Sequence, residues 1–162
     1  MRLFQRPEPM PSEIRELMSP GELVLAWANH SGGVIAITDR RLLSTDGHGS
    51  DSVLWQDSLS AKWDAPVLTL AVTRGDQPAS LSWQLNEPGL VPTAVRDRVT
   101  SVIVVDQLMD IPDVGRVRFI ARRTSQGVVW TTVPDTSVEH ESHSVQEHIR
   151  EALGSLRSTL GI

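Results

Sequence analysis

The chain has 162 residues, 40% of them hydrophobic and 22% charged, and its 15 basic and 20 acidic side chains give a formal charge of −5. That is ordinary globular usage, so a fibrous or wholly disordered chain is excluded and bulk charge argues against nucleic acid as a partner. With no cysteine, disulfides, thiolate metal sites, iron–sulfur clusters and cysteine nucleophiles are excluded outright. The first ten residues carry Arg2, Arg6 and Glu8 among prolines with no apolar stretch behind them. No run anywhere approaches the roughly 18 apolar residues of a membrane span, so a soluble cytoplasmic protein without an integral membrane segment is expected.

Pro7, Pro9 and Pro11 stiffen an extended lead-in, and Ser12 is placed to cap a short helix with Ile14, Leu17 and Met18 on one face, ended by Pro20-Gly21. Leu23 to Ala28 and Val34 to Thr38 are apolar runs separated by Asn29-His30-Ser31-Gly32-Gly33, which predicts a β-hairpin. Arg41 to Ser44 predicts a third strand. A polar loop, Asp46-Gly47-His48-Gly49-Ser50, then leads into Val53-Leu54-Trp55. Val67 to Val72 and the alternating Leu81-Ser82-Trp83-Gln84-Leu85 predict two further strands around the turn Arg74-Gly75-Asp76.

The period changes after Asn86-Glu87-Pro88-Gly89. Val91, Val95, Val99 and Val102 recur at helical spacing, with Pro92 in the first turn and Arg96, Asp97 and Arg98 on the outer face. Ile103-Val104-Val105 fits either a frayed helix end or a strand. Past Pro112 to Gly115, Val117, Phe119 and Ala121 alternate with Arg116, Arg118 and Arg122, which predicts a strand with one face in a core and one in water. Ser125-Gln126-Gly127 turns it into a partner strand, Val128 to Val133. Ser144 and Glu147 have capping-box spacing for a terminal helix whose stripe is Val145, Ile149, Leu153, Leu156 and Leu160, closed by Gly161.

Strands, then a helix, then a hairpin and a second helix predict an α+β fold: a strongly bent antiparallel sheet or partly open barrel capped by a helix, with an additional C-terminal β-hairpin and helix. The segment Val34-Ile35-Ala36-Ile37-Thr38-Asp39-Arg40-Arg41-Leu42-Leu43 resembles the strand-turn-strand signature of bacterial pleckstrin-homology-like (PH-like) domains. There an apolar strand leads to Thr, two polar residues, then Arg-Leu and another aliphatic residue. Leu54 to Leu59, Leu68-Thr69-Leu70 and Leu81 to Leu85 are similar to that family's later strands, and the resemblance spans about residues 21 to 105. It implies a barrel capped by a helix and leaves function open, since such domains take phosphoinositides, peptides or no known ligand. The division read from the sequence is a lead-in and short helix at 1–20, a PH-like domain at 21–109, and a hairpin plus helix at 110–162 docked on the same core.

Catalytic signatures are missing. There is no G-x-S-x-G; Ser31-Gly32-Gly33 precedes a strand; Gly47-x-Gly49 lacks the dinucleotide context; and no Gly-Lys-Ser or Gly-Lys-Thr cradles a phosphate. Asp57 and Asp64 are an available carboxylate pair that sequence cannot place across a cleft. His140, His143 and His148 lie among Glu139, Glu141 and Glu147, but His140 and His143 are three apart rather than the zincin four, so a solvated helix lead-in is the simpler reading. Trp83 and Trp130 fall in clear strands and read as core, whereas Trp55 and Trp63 flank a break in alternation and are the candidates for exposure. Arg116, Arg118 and Arg122 form a row that could meet phosphates. Arg41 is expected to be structural, paired with a carboxylate such as Asp57.

The reading is thus a non-enzymatic interaction module with no cofactor and no metal, whose partner is a protein, itself or another, joined by strand addition at a sheet edge. Trp55, Trp63, Arg116, Arg118 and Arg122 are its candidate binding surface. The alternatives are a peripheral membrane module making weak lipid contact and, behind it, a metal-dependent hydrolase built on the histidine-rich tail.

Overall fold

A computed structural model describes residues 9–139 and 141–162, and the chain divides into two compact units between Val99 and Thr100. The first holds α1 (Ser12–Leu17), β1 (Val24–His30), β2 (Gly33–Thr38), β3 (Arg41–Asp46), β4 (Gly49–Leu54), a 3-10 turn (Trp55–Asp57), β5 (Ser58–Asp64), β6 (Val67–Arg74), β7 (Gln77–Asn86) and α2 (Val91–Val102), which runs across the division. Its seven strands are antiparallel in the order β4-β3-β2-β1-β7-β6-β5, so two meanders meet where β1 pairs with β7 at Asn29–Asn86 and His30–Leu85. This is an open sheet with β4 and β5 as its edges, not a closed barrel.

Register explains which side chains are buried. Opposite residues of antiparallel strands share a face. In the second meander Ala61, Leu70 and Leu81 align, as do Trp63, Leu68 and Trp83, so the alternation in β6 and β7 points one face inward. The other face is wet, and Thr69 and Ser82 meet there at 3.1 Å between hydroxyls. In the first meander β2 is buried on both faces from Val34 to Thr38. α1 covers the outer one: Ile14 packs with Val34, Ala36 and Leu43, flanked by Met10, Leu17, Met18 and Trp27. The lead-in helix is therefore part of the core.

Local chemistry accounts for the turns. A side chain at Gly33 would run into the Thr45 carbonyl, so only glycine lets β2 and β3 approach there. Asp46 Oδ1 accepts the N–H groups of His48 (2.8 Å) and Gly49 (2.9 Å), closing a tight β3–β4 turn in place of the expected longer loop and lowering the Asp46 pKa. Ser12 does not cap α1; it is the first helical residue, Pro11 occupies the cap position, and no side chain bonds there. β5 was not legible in the sequence, because a bulge between Ser58 and Ser60 interrupts its alternation.

The second unit is a three-stranded antiparallel sheet, β8 (Ile103–Ile111), β9 (Gly115–Thr124) and β10 (Gly127–Pro134), with β9 central, followed by α3 (His143–Leu160). The open segment Ile103-Val104-Val105 is the start of a strand, and the sequence division at 109/110 falls inside β8, whose pairing with β9 runs from Ile103 to Ile111. Ile111, Val117, Phe119 and Ile149 form the core, with Val145, Leu153, Leu156 and Trp130 packed against it. Leu160, expected in that stripe, is exposed. The capping box does not form: the helix starts at His143 after Ser142, which leaves Ser144 and Glu147 inside it, and no side chain bonds the cap. Gly161 closes α3 in the left-handed conformation, its N–H bonded to the Arg157 carbonyl at 2.8 Å.

Candidate functional site

The residues that carry the PH-like resemblance form a buried polar knot. Arg41 is the first residue of β3 and Thr38 the last of β2, so the two-residue turn between them brings their side chains to one end of the sheet. Arg41 Nε donates to Glu22 Oε1 and Nη2 to Glu22 Oε2, both at 2.9 Å, and Nη2 also reaches the Leu17 carbonyl at 2.9 Å. The Thr38 hydroxyl lies 2.7 Å from Glu22 Oε1 and accepts the Arg41 N–H at 2.9 Å. Glu22 Oε2 accepts the Ser19 N–H at 2.9 Å, and Asp39 exchanges two backbone-anchored bonds with Leu23. The Arg41 guanidinium, aided by Ser19 and Thr38 and against the cost of burial, brings the Glu22 carboxyl down from the ordinary 4.5 to about 2. The same bond raises the Arg41 pKa.

Arg41 is thus tied to a carboxylate, but to Glu22 and not Asp57. Glu22 was missed because it stands 19 positions away in a loop, where only tertiary folding returns it. The knot pairs the two charges with each other and clamps the α1–β1 connection onto the sheet.

Trp55 is a second correction. It is buried, and its indole N–H donates to the Thr38 carbonyl at 2.9 Å, while the Ser58 hydroxyl donates to the Trp55 carbonyl at 2.5 Å. The 3-10 turn rotates the chain after β4, so Leu54 is exposed in its place. Trp63, by contrast, is 37% exposed. It stands on the edge strand β5 and, with Ala61 and Leu68, forms one wall of a groove of about 400 Å³ whose other wall is Pro92, Thr93, Arg96 and Asp97 of α2. Ala61, Trp63 and Leu68 make the β-side wall apolar, while Arg96 and Asp97 put charge on the α2 side.

The arginine row of the second unit does not exist as an open row. Arg116 Nε donates to Asp110 Oδ1 at 3.3 Å, and Arg118 meets Asp106 through Nε (2.6 Å) and Nη2, which raises its pKa. Both acids lie across on β8, on the same face. Arg122 is 4% exposed, with Nη2 donating to Thr131 Oγ1 at 2.8 Å. A bulge between Ile103 and Val105 shifts the register beside it, and β9 is buried on both faces from Phe119 to Arg122 rather than on one. Arg116 and Arg118 thus keep exposed surface while paired to carboxylates, and Arg122 is buried. Trp55 and Trp63 belong to the first unit and the three arginines to the second.

His140 lies outside the described residues. His143 and His148 are exposed on α3, five positions apart and so about 140° around the helix, too divergent for one ion. Among the described residues no group of three or more His, Asp or Glu side chains could hold a metal. A second cavity, of about 250 Å³, is bordered by His30, Asp46, His48 and Trp83, but both His30 nitrogens are engaged there: Nε2 with the Thr45 carbonyl at 2.8 Å, and Nδ1 accepting the Gly32 N–H at 3.1 Å. No helix among the described residues is long and apolar enough to cross a membrane. Comparison with family models, with curated proteins and with solved structures gives no match.

Proposed function

We propose that the first unit is a PH-like, non-enzymatic protein-interaction module that takes an extended peptide along the free edge of β5. The PH-like part of this reading is supported by the Thr38 to Leu43 motif and by the chain order of two antiparallel meanders followed by α2. One observation carries the binding part: β5, an edge strand with no partner on its outer side among the described residues, runs beside a groove with one apolar and one charged wall in which a tryptophan is left exposed. Strand addition supplies main-chain hydrogen bonds, and the groove supplies selectivity by receiving alternate side chains of the added strand. Lys62 and Asp64, on the opposite face of β5 from Trp63, discourage indiscriminate pairing of this edge.

Selection of displayed random peptides on the intact protein tests the reading. Peptides that bind should quench or shift Trp63 fluorescence, and Trp63→Ala should weaken them by roughly tenfold, about 1.4 kcal/mol, at an unchanged melting temperature. Peptides that bind Trp63→Ala as tightly as the native protein would remove the β5 groove from the proposal.

A further inference from the structure

We infer that β10 is a self-association edge, at which two copies of this chain join their second units into one continuous antiparallel sheet. Among the described residues four strand edges are free, and they differ in the features that keep edges from pairing. β4 presents Asp51 in a short polar strand; β5, the edge proposed above for a peptide, is interrupted by a bulge between Ser58 and Ser60; β8 has its bulge, Asp106 and Asp110. Charges and bulges are the devices by which proteins blunt such edges. β10 has neither. Its eight residues, Gly-Val-Val-Trp-Thr-Thr-Val-Pro, are uncharged, and its pairing with β9 is unbroken from Gly127 to Pro134, so no bulge interrupts the edge. Proline, which cannot donate to a ladder, stands only at the end.

The exposed apolar surface lies on the same strand. Val128 and Val129 are 42% and 40% exposed at the start of β10, while the remainder of the strand is half-buried. A second copy is the occupant that this pattern suits. Two-fold pairing about an axis normal to the sheet at Thr131 sets Val129 opposite Val133 of the other copy and Trp130 opposite Thr132. These are β-branched and aromatic pairings, the favourable kind across antiparallel strands. The same operation at β8 sets Asp106 opposite Asp110, so two arginine-held ion pairs rather than apolar side chains would meet across the seam. A two-fold contact is closed, so it yields a dimer and not a filament. Three strands from each copy make one six-stranded sheet with both α3 helices on one side.

Sedimentation of the full chain, with concentration raised from micromolar to submillimolar, should show a reversible monomer–dimer equilibrium. Val129→Lys and Val133→Glu should each be monomeric over the same range with a native melting curve. Mixed one to one they should form a heterodimer, because the new lysine and glutamate face each other in this register. A native protein that stays monomeric throughout overturns the inference. So does a dimer that survives Val129→Lys, or a mixture of the two variants that stays monomeric. A variant that fails to melt cooperatively is replaced by hydrogen exchange on the native chain, where β10 amides must gain protection as concentration rises; unchanged protection also overturns it.

Discussion

Arg41 and Arg118 make the same contact, a guanidinium meeting a carboxylate through Nε and Nη2, yet they do different things. The Glu22 side chain has no exposed surface, and Ser19 and Thr38 bond its remaining lone pairs; the Asp106 side chain is 37% exposed and stands at a sheet edge. In the first unit the ion pair closes the core, so removing one partner strands a buried charge. In the second, water screens the pair, and cohesion comes from the apolar stripe of α3. Identical pair chemistry is structural in one unit and incidental in the other because burial sets its weight.

The largest effect should come from the stripe. Deleting residues 143–162 uncovers Ile111, Val117 and Phe119, and the product is expected to be insoluble or to lose cooperative melting. A soluble truncation with a sharp calorimetric transition would show that the second sheet holds without its helix. Arg41→Ala should follow, at about 3 kcal/mol in a denaturant titration, since Glu22 is left buried and unpaired. A change below roughly 1 kcal/mol would put Arg41 in the same class as Arg118 and erase the contrast.

Acid should act on the first unit through the same carboxylate. Because the Glu22 pKa is lowered on folding, its contribution is fully present above the ordinary 4.5 and is lost as pH falls toward about 2. The loss across that window is roughly 3 kcal/mol at most for the native protein, and Glu22→Gln should flatten the dependence there. An equally steep acid slope in Glu22→Gln would assign it to other carboxylates. The smallest effect is expected from Arg118→Ala, below about 1 kcal/mol and shrinking with added salt. A larger, salt-insensitive loss would mean that the Asp106 pair is as structural as Arg41.

Sequence by itself determined the α+β class, nearly every strand, both long helices and the face each helix buries, because periods of two and 3.6 are local signals. It singled out Arg41 as structural and named Trp63, together with the buried Trp55, as a candidate for exposure. Where features depend on distant chain returning, the sequence was silent or misleading. Glu22 bonds Arg41 across 19 positions; the buried Trp55 bonds the Thr38 carbonyl 17 positions back; and the buried Arg122 lies beside a bulge in β8. The Trp63 groove needs Pro92 and Arg96, some thirty residues on, to form its second wall. Periodicity reports which side of an element is apolar. What that side meets, and whether a charge there is wet or dry, is decided by pairing between residues far apart in the chain, and tertiary structure alone provides that pairing.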